Sequence, residues 1–175
     1  KSGMMLVTMT PTHTPTLKEM EALRGHISQL ASLPESDVPT ISAYLDLNRT
    51  TDYLRSKFSN WTMMARPTLS KEARSSFDEA RREVESVISR EWPDEVRSVA
   101  VFSRRGEEPF LLVIPFSATL DLHFDALPQP AIFPLVQLKD RFHRFVVVIA
   151  TEDVSRIFEV TLGAVSELIL AQRPE

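Results

Sequence analysis

The chain has no cysteine and only four glycines, none adjacent to another, among its 175 residues. Without thiols there is no disulfide framework, no thiolate zinc site and no cysteine nucleophile. Isolated glycines cannot build the loops that cradle phosphates in P-loop or dinucleotide-binding proteins, so no nucleotide cofactor, and no cofactor at all, is expected. No apolar run approaches ~18 residues, which leaves no membrane-spanning helix in the sequence. Residues 4–9 lack the basic flank and cleavage pattern of a secretion signal, and Lys1-Ser2-Gly3 before Met4 reads as an added leader. A soluble, cytoplasmic protein is the expectation. Net charge is −4 with the two signs interspersed, which excludes a protein that coats nucleic acid by bulk positive charge but permits a local basic patch.

What is present is apolar periodicity. The chain is 43% hydrophobic, ample for a packed core in one or two domains. Residues 1–15 show no period and read as a tail, unless residues 6–8 pair onto a sheet edge. Thr16 and Glu19 form a candidate capping box, and Leu17, Met20, Leu23, Ile27 and Leu30 follow at helical spacing up to Pro34. Ile41, Ala43, Leu45 and Leu47 alternate with Ser42, Tyr44 and Asp46, the pattern of a half-buried strand. Asp52 is placed to cap a helix carrying Leu54, Phe58, Trp61 and Met64 or Ala65, ended by Pro67. Ser70 opens a second helix through Ala73, Phe77, Ala80, Val84 and Val87 or Ile88 to Trp92, so that Arg66-Pro-Thr-Leu-Ser70 is the tip of a helical hairpin.

Residues 96–103 and 109–116 read as two strands flanking Arg104-Arg-Gly-Glu-Glu108, a turn in which Gly106 is free to take a positive φ. Leu120, Leu122 and Phe124 alternate with Asp121, His123 and Asp125 in a further strand. Pro128-Gln-Pro130 reads as a linker, and a short helix over 135–141 leads to a run of Val and Ile at 145–150 that reads as a buried strand. Residues 151–154 turn, 156–162 form another strand, Gly163 breaks it, and 164–171 is a third. The expected fold class is α+β: a mixed or antiparallel sheet covered on one face by three helices over 16–128, followed from 129 to 175 by the opening strands of a second α/β unit.

Side chains that could carry chemistry are few. Asp121, His123 and Asp125 share one face of a strand, but residues four apart on a strand lie roughly 13 Å apart, too far to hold one ion. The plainer reading is a solvent face. His143 sits among Lys139, Arg141 and Arg144, which would keep it neutral, yet no serine or carboxylate is tied to it by a motif. His13, His26 and the Glu91, Asp94 and Glu95 cluster show no ligand spacing, and no metal site or catalytic residue is assigned. Arg66 at the helical tip and Arg104 and Arg105 at the strand turn are placed to reach RNA phosphates, against their plainer reading as solvated loop charges.

The order of these elements, with Thr40-Ile-Ser-Ala-Tyr-Leu-Asp-Leu47 after a leading helix, resembles the N-terminal domain of class I peptide chain release factors of the archaeal and eukaryotic type. Ser98-Val-Ala-Val-Phe-Ser103 fits the strand that follows that family's helical hairpin. Residues 144–167, with "Arg-Ile-Phe-Glu-Val" and a glycine, resemble the opening of its middle domain, and are closer still to the family's bacterial relatives. The family's Asn-Ile-Lys-Ser motif belongs where this chain has Arg66 to Ser70, and the chain contains no Gly-Gly-Gln. Neither stop-codon reading nor peptidyl-tRNA hydrolysis can therefore be carried over to any residue.

The resemblance implies a translation-linked scaffold that meets the ribosome or tRNA in termination or rescue. A non-enzymatic protein-interaction module that kept the fold is the alternative, and a small hydrolase using His143 or the Asp121–Asp125 face a third. The second unit, at ~45 residues, is too small to stabilise itself. Its strands need cover from the first unit, from residues 4–8, or from a second chain. A two-fold homodimer through residues 144–170 is the favoured expectation.

Overall fold

The computed structural model describes residues 17–106, 108–141, 145–150, 154–161 and 164–172. The readings on residues 1–16, His143 and Arg144, the turn at 151–153 and Gly163 lie outside them.

The first sheet is antiparallel throughout, in the order β3-β2-β1-β4: β1 is Thr40–Asp46, β2 Ser98–Arg104, β3 Phe110–Phe116 and β4 His123–Leu127. Helices α1 (Leu17–Ala31), α2 (Thr51–Ala65), α3 (Lys71–Ile88) and α4 (Phe133–Arg141) complete the α+β architecture. Two helices separate β1 from β2, so the chain returns to the end it left and β2 runs antiparallel beside β1, with Tyr44 opposite Ala100.

Alternation assigns the two faces of β1. Ile41, Ala43 and Leu45, with Val99 and Val101, meet Leu54 and Phe58 of α2 and Phe77, Ala80 and Val84 of α3. Phe124 joins them, its ring centroid 5.2 Å from that of Phe58 and 5.6 Å from that of Trp61. The opposite face is covered as well. Tyr44, Ala100, Phe102 and Ile114 pack with Leu23 and Leu30 of α1 and Leu135 and Leu138 of α4. Three helices on one face were expected; the helices divide two and two, and the sheet is the middle of three layers. β1 is accordingly buried on both sides rather than half-buried.

Ser42 and Tyr44 tolerate this burial because the backbone of Ala131, directly after Pro128-Gln-Pro130, supplies their partners. The Ala131 amide donates to Ser42 Oγ at 2.9 Å, and the Tyr44 hydroxyl donates to the Ala131 carbonyl at 2.5 Å. The Ser36 amide also donates to the Pro128 carbonyl at 3.3 Å. The expected linker thus lies docked against the sheet, and α4, expected in the second unit, buries Leu135 and Leu138 in the core of the first.

Helix caps follow local polarity. Thr50, not Asp52, caps α2: its backbone is extended and its Oγ1 accepts the Tyr53 amide, while Asp52 stands in the first turn. Ser70 caps α3 by accepting the Ala73 amide at 3.2 Å. α3 ends at Ile88, ahead of Pro93.

The remaining strands form a separate meander, β5 (Phe145–Ala150), β6 (Val154–Thr161) and β7 (Ala164–Gln172), in that spatial order and all antiparallel. β5 was expected to be buried. It is an edge strand, and the consecutive residues Val147, Val148 and Ile149 are 41%, 60% and 51% exposed.

Candidate functional site

The tip of the helical hairpin is a single 3-10 turn, Arg66–Thr68, closed by bonds within itself. Thr68 Oγ1 donates to the Ala65 carbonyl at 2.7 Å, and the Arg74 guanidinium donates to the Pro67 carbonyl at 3.1 Å. Pro67 fixes its own φ at the start of the turn. Arg66 stands here as expected, but its fork is engaged: Nε donates to Asp78 Oδ1 and Nη2 to Asp78 Oδ2, both at 2.8 Å. The bond to Arg66 holds the Asp78 carboxyl below its ordinary range and raises the Arg66 guanidinium. Beside this turn Met63 and Met64 are largely exposed.

At the β2–β3 turn, Gly106 takes φ 93°, the left-handed conformation expected of it, and Glu108 follows at φ 51°. A side chain at 106 would also meet Ser76 Oγ at 3.0 Å, so that hydroxyl would have to shift to admit one. Arg104 does not crown this turn. It is the last residue of β2, and its side chain is wholly buried. Nη1 donates to the Pro34 carbonyl at 3.2 Å, Nε to the Glu108 carbonyl at 3.4 Å, and the guanidinium lies 5.3 Å from the Phe110 ring centroid. Strand alternation and the returning 34–37 loop place it inward, so Arg104 cannot reach an RNA phosphate in this fold. Arg105 is partly exposed and pairs with Glu83, which also accepts the Ser103 hydroxyl at 2.6 Å. Of the three arginines, two are tied to carboxylates and one is inside.

The Asp121, His123 and Asp125 face borders a cleft between β4 and α4 of about 370 Å3, lined also by Gln137 and floored by Leu120 and Leu138. His123 Nε2 lies 2.6 Å from Asp125 Oδ2, a pair that fixes the ring, whereas Asp121 precedes the strand and does not join it. Among the described residues no group of three ligands could hold a metal ion. Tyr44 lies behind the pair, its ring centroid 6.2 Å from that of His123. Burial, with a contribution from Asp125, raises its hydroxyl well above the ordinary tyrosine value. That hydroxyl is a structural donor to Ala131, and it will not ionise near neutrality. The described lining contains no hydroxyl, thiol or amine side chain, so none of its described residues offers the His123–Asp125 pair a side-chain nucleophile. Sequence reasoning had not singled out Tyr44 or Gln137; a tyrosine set among small strand residues was the one available signal.

No family model matches the sequence, and no curated protein matches it. Solved structures do match the fold. Archaeal translation termination factor aRF1 superposes with a TM-score of 0.58 at 10% identity, over 87% of this chain and 44% of its own. An archaeal protein superposes with a TM-score of 0.57 at 11% identity, over 87% and 45%. The likeness establishes a release-factor-like fold, and the chain spans less than half the length of either structure. Among the described residues no helix is long and apolar enough to cross a membrane.

Proposed function

We propose that this chain is a release-factor-like scaffold that associates with the ribosome or with tRNA in termination or rescue, without reading stop codons itself. The observation that supports this most is the shared fold over 87% of the chain with a translation termination factor. The tip supports the second half of the proposal: Arg66-Pro67-Thr68 folds into a self-bonded turn whose guanidinium is committed to Asp78. Co-sedimentation with ribosomes tests the reading. Binding should weaken steeply as salt rises, because phosphate contacts release counterions. It should be indifferent to whether a stop or a sense codon occupies the decoding site. Absence of co-sedimentation at low salt would remove the ribosomal reading, and preference for a stop codon would remove its second half.

A second reading, a protein-interaction module, draws on β5. Successive residues of a strand point to opposite faces, so exposure at Val147, Val148 and Ile149 leaves both faces of this edge strand apolar and uncovered. A second copy of the same strand matches that surface. It carries no charge to repel and can pair about a two-fold axis. The resulting homodimer, through residues 144–170, is compatible with ribosome binding.

A further inference from the structure

Where β1 gives way to α2 and α3 returns to β2, the described residues enclose an open hollow of about 630 Å3. Arg49, Arg90 and Arg97 line it, and each is oriented by a neighbour. Arg49 reaches Asp46 at 3.4 Å and lies 5.7 Å from the Tyr53 ring centroid. Arg90 lies 4.8 Å from the Trp92 ring centroid. Arg97 donates to Asn48 Oδ1 at 3.5 Å, and Asn48 is itself anchored by donating to Asp46 Oδ1 at 2.7 Å.

Arg90 and Arg97 differ from the three arginines expected to reach RNA. Arg66, Arg104 and Arg105 each have a carboxylate at hand, as does Arg81. Among the described residues, Arg90 and Arg97 have none within ion-pair distance, and both are exposed. A guanidinium has five N–H donors; stacking on Trp92 uses none of Arg90's, and Asn48 takes one of Arg97's. Two oriented, carboxylate-free guanidiniums therefore open on one hollow.

The hollow is not uniformly positive. Glu91 and Asp94 form part of its wall, and the positive N-terminal end of α2 is balanced by the negative C-terminal end of α3. A bare anion would gain from one side and lose from the other. A ligand that satisfies both combines an anionic oxygen cluster with hydroxyl or amino donors a few ångströms away, which describes a nucleotide. The open, polar character of the site decides between a free nucleotide and a strand. Small-molecule sites enclose most of their ligand in largely apolar walls, whereas Arg90, Glu91, Asp94 and Arg97 all stand exposed at the rim.

We infer that this hollow seats a nucleotide unit of single-stranded RNA. Arg90 and Arg97 donate to phosphate oxygens, and Glu91 and Asp94 accept from ribose hydroxyl or base amino groups. The inference rests on the RNA-associated reading above and gives it a surface. That surface is distinct from the helical tip: α2 spans 15 residues, so the hollow and the Arg66 turn stand about 22 Å apart at 1.5 Å per residue.

Fluorescence polarisation of the full chain with a labelled oligoribonucleotide, at low salt, tests it. The Arg90→Gln/Arg97→Gln double variant should bind at least tenfold more weakly. Its salt dependence should flatten, the log–log slope falling by about 1.4 for two lost phosphate contacts. Arg24→Gln, on α1, should bind as the parent does. Circular dichroism melts show whether the double variant remains folded; should it not, Arg90→Lys/Arg97→Lys keeps the charge and loses the fork, with weakened binding again expected. Unchanged RNA affinity in a folded double variant overturns the site while leaving ribosome association standing. Displacement of the oligomer by AMP at equal concentration overturns the assignment to a strand. Failure of both oligomer binding and ribosome co-sedimentation takes away the reading on which the site rests.

Discussion

The Tyr44 hydroxyl donates to the Ala131 carbonyl at 2.5 Å across 87 residues of sequence, and so ties the central strand to the segment that leads into α4. The same segment returns its amide to Ser42 Oγ. Two polar side chains on a strand buried on both faces are thereby satisfied by one stretch of backbone, and α4 is held where Leu135 and Leu138 complete the core shared with α1.

Tyr44→Phe should accordingly destabilise the fold by about 1–3 kcal/mol, the cost of leaving a buried acceptor unpaired. Urea unfolding measures this. The substitution also has a signature in pH. A hydroxyl whose folded pKa is raised is favoured in its neutral form by folding. Its contribution is complete below the unfolded value of 10.0 and is lost as pH rises above it. Stability should fall from about pH 10 upward by up to ~1.4 kcal/mol per pH unit from this group, and that slope should be absent in Tyr44→Phe. With only two tyrosines in the chain, ultraviolet titration of the parent should show one phenol ionising only with unfolding. Two phenols titrating together in the folded protein would contradict the burial of Tyr44.

Arg104→Ala should lower stability by roughly 2–4 kcal/mol, since it empties a fully buried position and removes the guanidinium bonds to the Pro34 and Glu108 carbonyls. It should leave RNA affinity of the folded protein unchanged. Thermal unfolding and polarisation on the same sample separate the two effects. A stable variant with weakened RNA binding would mean that Arg104 faces solvent after all.

Light scattering at micromolar concentration should report a dimer. Val148→Lys, at a position already 60% exposed, should return it to a monomer without loss of secondary structure, because an edge lysine opposes strand pairing. A parent that stays monomeric at high concentration rules out the β5 pairing.

The sequence by itself determined the elements. Phe77, Ala80 and Val84 could only share a helical face, and Ile41, Ala43 and Leu45 only a strand face, because side-chain direction repeats every 3.6 or 2 residues whatever the chain later packs against. Gly106 likewise announced its turn. The α+β class followed from the order of those elements. What only the tertiary structure decided was which second face each element would bury and which charges would be left over. Ser42 and Tyr44 look like a wet face until the 128–131 backbone is brought back to satisfy them. Arg104 and Arg105, adjacent in sequence, part because strand alternation sends one inward to Pro34 and the other to Glu83. The hollow of Arg49, Arg90 and Arg97 joins residues up to 48 positions apart, and periodicity carries no information about such distances. Local sterics write a helix or a strand into a few consecutive residues, whereas the partner of a guanidinium is chosen by whatever long-range packing brings within ~4 Å.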